Sequence, residues 1–112
     1  MVDVINLGEF EQLVLFAVVR LEQASGIGIH DEIEARTGRD VSPGAIYTTL
    51  GRLEARGLVA VTDAGTPSGA VGRPRKSYVI TASGAHALRT SYASLQALAD
   101  GAEAKLAKLA RR

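Results

Sequence analysis

Apolar residues of this chain keep helical step in three successive stretches, give way to two short β-branched runs around a segment rich in glycine, proline and cations, then return to helical step until the end. Each change of period marks a change of element. The order helix, helix, helix, hairpin, helix is therefore the tightest limit on how 112 residues can fold.

Leu7, Phe10, Leu13, Val14, Ala17, Val18 and Leu21 recur at steps of three and four, which predicts a first amphipathic helix. After the break Ala24-Ser25-Gly26, Ile29 and Ile33 mark a short second helix that leaves through Thr37-Gly38. Ser42 is placed to cap a third helix, with Pro43 at its first position and Gly57 at its end. Ile46, Leu50 and Leu53 form its inward stripe. Leu58 to Thr62 and Ser77 to Thr81 read as two strands of a long hairpin. Thr81 then caps one last helix running nearly to the end. Its Leu88, Tyr92, Leu95, Ala99, Ala102, Leu106 and Leu109 are spaced alternately by four and three, a seam for another helix.

Charge is divided along the chain in a way the net +1 conceals. Residues 1–34 carry seven acids against Arg20 alone, whereas residues 35–80 carry Arg36, Arg39, Arg52, Arg56, Arg73, Arg75 and Lys76 against three acids. A polyanion is drawn to the middle of such a chain and kept from its start. The absence of cysteine leaves no disulfide framework and no cysteine-bearing zinc site, and suits a reducing cytoplasm. The longest apolar run, Leu13 to Val19, is too short to span a bilayer, and a soluble protein with no signal peptide is expected.

The expected architecture is mainly α with a small β-hairpin: a winged helix-turn-helix over residues 1–81 and a dimerisation helix over 82–112. In that arrangement the third helix enters the major groove of DNA. Its outer face carries small, hydrogen-bonding groups: Gly44, Thr48 and Thr49, with the cap Ser42, Arg52 further along and Tyr47 at the edge. Hydroxyls suit phosphate oxygens, and arginine suits phosphate or guanine. The hairpin tip holds Arg73, Arg75 and Lys76 with no acid near them, a composition that suits a minor groove.

These same residues carry a resemblance to the phenolic-acid-regulator family, PadR. Leu7-Gly8-Glu9-Phe10-Glu11-Gln12-Leu13 resembles the opening of its first helix. The run from Ser42-Pro43-Gly44-Ala45-Ile46-Tyr47-Thr48-Thr49-Leu50 through Arg52-Leu53-Glu54 to Gly57-Leu58-Val59 is similar to its recognition-helix motif. Gly72-Arg73-Pro74-Arg75-Lys76, with Tyr78, Thr81 and Gly84, resembles its wing and the start of its last helix. Ser25 departs from the tyrosine often found before the glycine matched by Gly26. The resemblance implies a bacterial, cytoplasmic, homodimeric regulator, commonly a repressor released by a small-molecule effector, with Tyr47 and its neighbours meeting DNA. The single C-terminal helix places this chain with the short members, whose dimer rests on that helix with help from the first.

A sequence-specific repressor acting as a homodimer on a pseudo-palindromic operator is the reading that follows. The alternative is a winged-helix module that binds protein through the last helix. Catalysis has little to rest on. His30 and His86 lie far apart and read as surface residues, giving no metal site. A Ser42, His30, Asp31 triad fails because Ser42 already caps a helix. Gly26-x-Gly28 lacks the rest of a dinucleotide fingerprint, so no cofactor is expected. Phe10 and Phe16 read as core. Aromatic residues make up only 4% of the chain, which leaves a pocket that stacks flat ligands little to build with, so an apolar effector, or none, fits the sequence equally well.

Overall fold

The computed structural model describes residues 6–63 and 76–111. They form α1 (Glu9–Arg20), α2 (Gly26–Thr37), α3 (Pro43–Ala55), β1 (Val59–Asp63), β2 (Lys76–Ile80), α4 (Ala82–Ala99) and α5 (Glu103–Ala110). β1 and β2 pair antiparallel, with Val59 opposite Ile80 and Asp63 opposite Lys76. No helix among the described residues is long and apolar enough to cross a membrane.

One core joins these elements. Val14 and Leu15 of α1, Ile29 of α2, Ile46, Leu50 and Leu53 of α3, and Leu58 ahead of β1 are all fully buried. Each contributes roughly 1.5–3 kcal/mol by leaving water. The first half of α4 joins them through Ala87 and Leu88.

Local chemistry sets the boundaries. Ser25, Ser42 and Thr81 each accept a backbone N–H from three residues on, at 3.0, 3.1 and 3.0 Å, and so cap α2, α3 and α4. The Glu11 carboxylate accepts the Gly8 N–H at 2.9 Å and does the same for α1. Gly57, at φ 74°, ends α3 by a left-handed turn in which Leu58 N–H reaches the Leu53 carbonyl at 2.9 Å.

Two features depart from the expected fold. The last helix is not continuous: Gly101, at φ 81°, turns the backbone left-handed and separates α4 from α5. The hairpin also gains a third contact, because Tyr78 N–H donates to the Ala24 carbonyl at 2.9 Å and makes a β-bridge with the α1–α2 connection.

Candidate nucleic-acid interface

α3 stands on α1 and α2 with its polar side outward. Gly44, Thr48, Gly51 and Arg52 are exposed, and nothing lies within 4 Å of where a Cβ would stand on Gly44 or Gly51. Another macromolecule can therefore approach this backbone closely. Ser42 is exposed at the leading end although its hydroxyl is engaged as the cap. Tyr47 is half exposed at the edge, its ring lying over Gly26 at the start of α2.

Thr49 is not on this face. It is 6% exposed, turned inward with Ile46 and Leu53, because three residues after one and four before the other is the same side of a helix. The hydroxyl expected at DNA is a core group.

The electrostatics are more selective than the sequence implies. Acids of the first 34 residues capture Arg36, Arg39 and Arg56 as well as Arg20. Glu32 Oε2 accepts from Arg20 Nε at 3.0 Å and from Arg36 Nε, within the same α2, at 2.6 Å. These two guanidiniums hold the Glu32 carboxyl below its ordinary range, the hydrogen bond to Arg36 being the larger cause. Glu9 takes Arg39 at 3.0 Å, and Glu11, while capping α1, takes Arg56 at 3.1 Å. Of the arginines between α1 and the end of α3, only Arg52 has no acid partner among the described residues. Part of the segregated charge of the sequence thus becomes paired charge in space, with Arg52, on the outward face of α3, left without an acid partner among the described residues.

Lys76 is exposed at the start of β2. Arg73 and Arg75 lie outside the described residues.

A second surface is apolar. Tyr92, Leu95, Leu106 and Leu109 are exposed, and Ala99 and Ala102 are half-buried at the α4–α5 break. Leu88 does not belong with them: it is 5% exposed and packs in the core of its own chain, because the first turns of α4 are pressed onto that core. The heptad spacing also passes over Leu98, the most exposed large apolar residue among those described, at 83%. Phe16, expected in the core, is partly exposed and meets Tyr92 edge-on, with ring centroids 5.2 Å apart. The patch therefore extends from α4 onto α1, where Val19 is also exposed.

His30 is less free than a surface histidine. Nδ1 lies 3.1 Å from Asp31 Oδ1, and Nε2 lies 2.9 Å from the Val41 carbonyl and 3.6 Å from Glu34 Oε2.

Three helices, a hairpin directly after the third, and an open polar face on that third helix define a winged helix-turn-helix protein. A family model, the transcriptional regulator PadR-like family, matches residues 14–90. The chain belongs to that family, which is one of transcriptional regulators and not of enzymes. A PadR family transcriptional regulator from Eggerthella lenta DSM 2243 is 30% identical, with a TM-score of 0.66 over 88% of this chain and 86% of its own. A PadR-like transcriptional regulator from Bacillus cereus strain ATCC 14579 shares the fold with a TM-score of 0.72 at 24% identity, over 87% of this chain and 90% of its own. Bacillus subtilis PadR, solved in complex with operator DNA, matches with a TM-score of 0.63 at 19% identity, over 72% of this chain and 45% of its own. Comparison with curated proteins gives no match.

Proposed function

We propose that this protein binds duplex DNA as a homodimer and represses transcription from a pseudo-palindromic operator. α3 of each protomer enters a major groove, with Thr48, Arg52, Tyr47 and the Ser42–Gly44 end of the helix at the DNA. Lys76, Arg73 and Arg75 grip the backbone from the wing. Tyr92, Leu95, Ala99, Ala102, Leu106 and Leu109 form the seam between protomers. In this reading residues 1–81 are the DNA-binding unit and 82–112 the dimerisation arm, working in the cytoplasm.

The observation that carries the reading is the state of Arg52. Its guanidinium has no carboxylate partner among the described residues and stands on an exposed helix face of small residues, while Arg20, Arg36, Arg39 and Arg56 are all tied to carboxylates. A free cation flanked by surfaces that admit a backbone is what phosphate and base-edge contacts need. The operator-bound relative supports the same use of the fold.

The test is a salt titration of binding to the duplex upstream of the protein's own gene, beside a scrambled duplex of equal length. Selective binding that weakens steeply with salt is expected. Equal or absent binding to both across the range overturns the reading and favours a protein partner on the exposed α4–α5 face.

A further inference from the structure

We propose that His30 is a proton-operated latch on the helix-turn-helix: its doubly protonated ring ties α2 to the turn that launches α3, and loss of one proton loosens that tie by setting it in competition with Asp31. A carbonyl oxygen and a carboxylate can only accept, and here both ring nitrogens face such atoms. Nε2 lies 2.9 Å from the Val41 carbonyl and Nδ1 lies 3.1 Å from Asp31 Oδ1. A neutral imidazole has one N–H and can satisfy only one of them; the imidazolium satisfies both.

The position gives the proton leverage. Val41 is buried and directly precedes Ser42, the residue that caps α3. A bond from α2 to Val41 therefore fixes the angle at which α3 leaves the turn. Neutral imidazole keeps either the cross-link or the Asp31 bond, and the competing carboxylate is on the same helix.

The surrounding charges favour the proton. On α2 the facing groups are Asp31 and Glu34, the latter 3.6 Å away. Neither acid is claimed by a cation elsewhere among the described residues: Arg20 and Arg36 are on Glu32, and Arg39, from the turn itself, is on Glu9 of α1. The turn presents the Val41 carbonyl, and α3 sends His30 no ion-pair partner among the described residues. The Asp31 hydrogen bond raises the imidazole above its ordinary 6.5, with Glu34 and Val41 adding to it and desolvation opposing.

The sign follows. The folded state holds the proton more tightly than the unfolded one, so the latch is complete below pH 6.5 and is lost as the pH rises through the raised value. The latch stands on the geometry alone; its effect on DNA rests on the DNA-binding reading above.

The experiment has two arms on the full-length protein. Nitrogen-detected NMR of the imidazoles across pH 5–9 is expected to show His30 protonated on both nitrogens at pH 6 and titrating above 6.5, with the Val41 and Ser42 amides shifting in step. A His30 that titrates at or below 6.5, or amides that ignore it, overturns the latch without touching DNA binding. In the second arm, operator affinity is expected to fall about threefold to tenfold from pH 6 to pH 8.5, the scale of losing one charge-assisted hydrogen bond in part. His30→Gln, which keeps one N–H for Val41 and cannot titrate, removes that step, whereas His86→Gln keeps it. A step that survives His30→Gln overturns the latch. Absence of operator binding at every pH counts against the DNA-binding reading instead.

Discussion

Gly26 and Tyr47 share one space: the tyrosine ring occupies the volume into which a Cβ on the glycine would project. The first residue of α2 thereby seats an aromatic side chain on the edge of the proposed reading face. Gly26→Ala is expected to push the ring outward, since its far end is the part in contact. Stability falls by about 1 kcal/mol, because a side chain can yield where a backbone cannot. Operator affinity falls further than stability does. A double-mutant cycle with Tyr47→Ala checks this: the stability cost of Gly26→Ala should vanish once the ring is gone.

Gly84 is the stricter case. A Cβ there would come within 2.9 Å of Ile80 Cγ1 and nearer still to the Leu58 carbonyl, which is backbone and cannot swing aside. Gly84→Ala should cost about 3 kcal/mol or more. Denaturant unfolding decides it, and a loss comparable to that of Gly26→Ala would mean that α4 lifts from Leu58 and β2 more easily than its packing implies.

Arg52→Ala is expected to weaken operator binding by about tenfold or more and to lower the salt dependence by about one counterion per protomer. Unfolding should be unchanged, since the guanidinium has no ion-pair partner to lose among the described residues. Arg73→Ala should reduce the salt slope similarly. An unaltered slope in both variants removes the contact assignment.

Leu95→Asp separates assembly from folding. Leu95 is 56% exposed, so the new carboxylate costs a lone protomer little, whereas in a closed seam it would be an unpaired buried charge. Sedimentation should show the dimer dissociating at concentrations about a hundredfold higher than for the parent protein, with the circular dichroism spectrum retained. An intact dimer would place the interface elsewhere.

Glu32 gives an acid-side test. Two arginines hold its carboxyl below the ordinary 4.5, so its contribution is complete above that pH and is lost as the pH falls through the lowered value. Glu32→Gln should narrow the stability difference from the parent as acid is added, and thermal melts between pH 3 and 7 measure it.

Much of the fold was legible in the sequence because its boundaries are local chemistry. Ser42-Pro43, Gly57 and Thr81 act through their own backbone neighbours, and each stands where its side chain or φ angle demands. What was missed needed partners distant in sequence or a competing local preference. Thr49 was legible after all: its spacing from Ile46 and Leu53 turns it inward, and only its hydroxyl argued for the outside. Gly101 was outvoted by a heptad pattern that continues across it, although its left-handed turn ends α4. Leu88 satisfies the heptad and also the core, and only the seating of α4 on Leu58 decides between them. The Ala24–Tyr78 bridge joins residues 54 apart in the chain and leaves no periodic mark. At the candidate interface the outward face of α3 could be read directly, but the singling out of Arg52 could not. It depends on Glu9, Glu11 and Glu32 reaching the other arginines across α1, α2 and α3.

Thr81 does more than start a helix. While accepting the Gly84 N–H, its hydroxyl donates to the Gly57 carbonyl at 2.7 Å, and its own N–H reaches the Leu58 carbonyl at 3.1 Å. The root of α4 is thus riveted to the turn that closes α3. An 18-residue helix is a lever of about 27 Å, and one fixed at its base has no joint in which to lose a movement. Whatever pushes on its far end turns α3 with it.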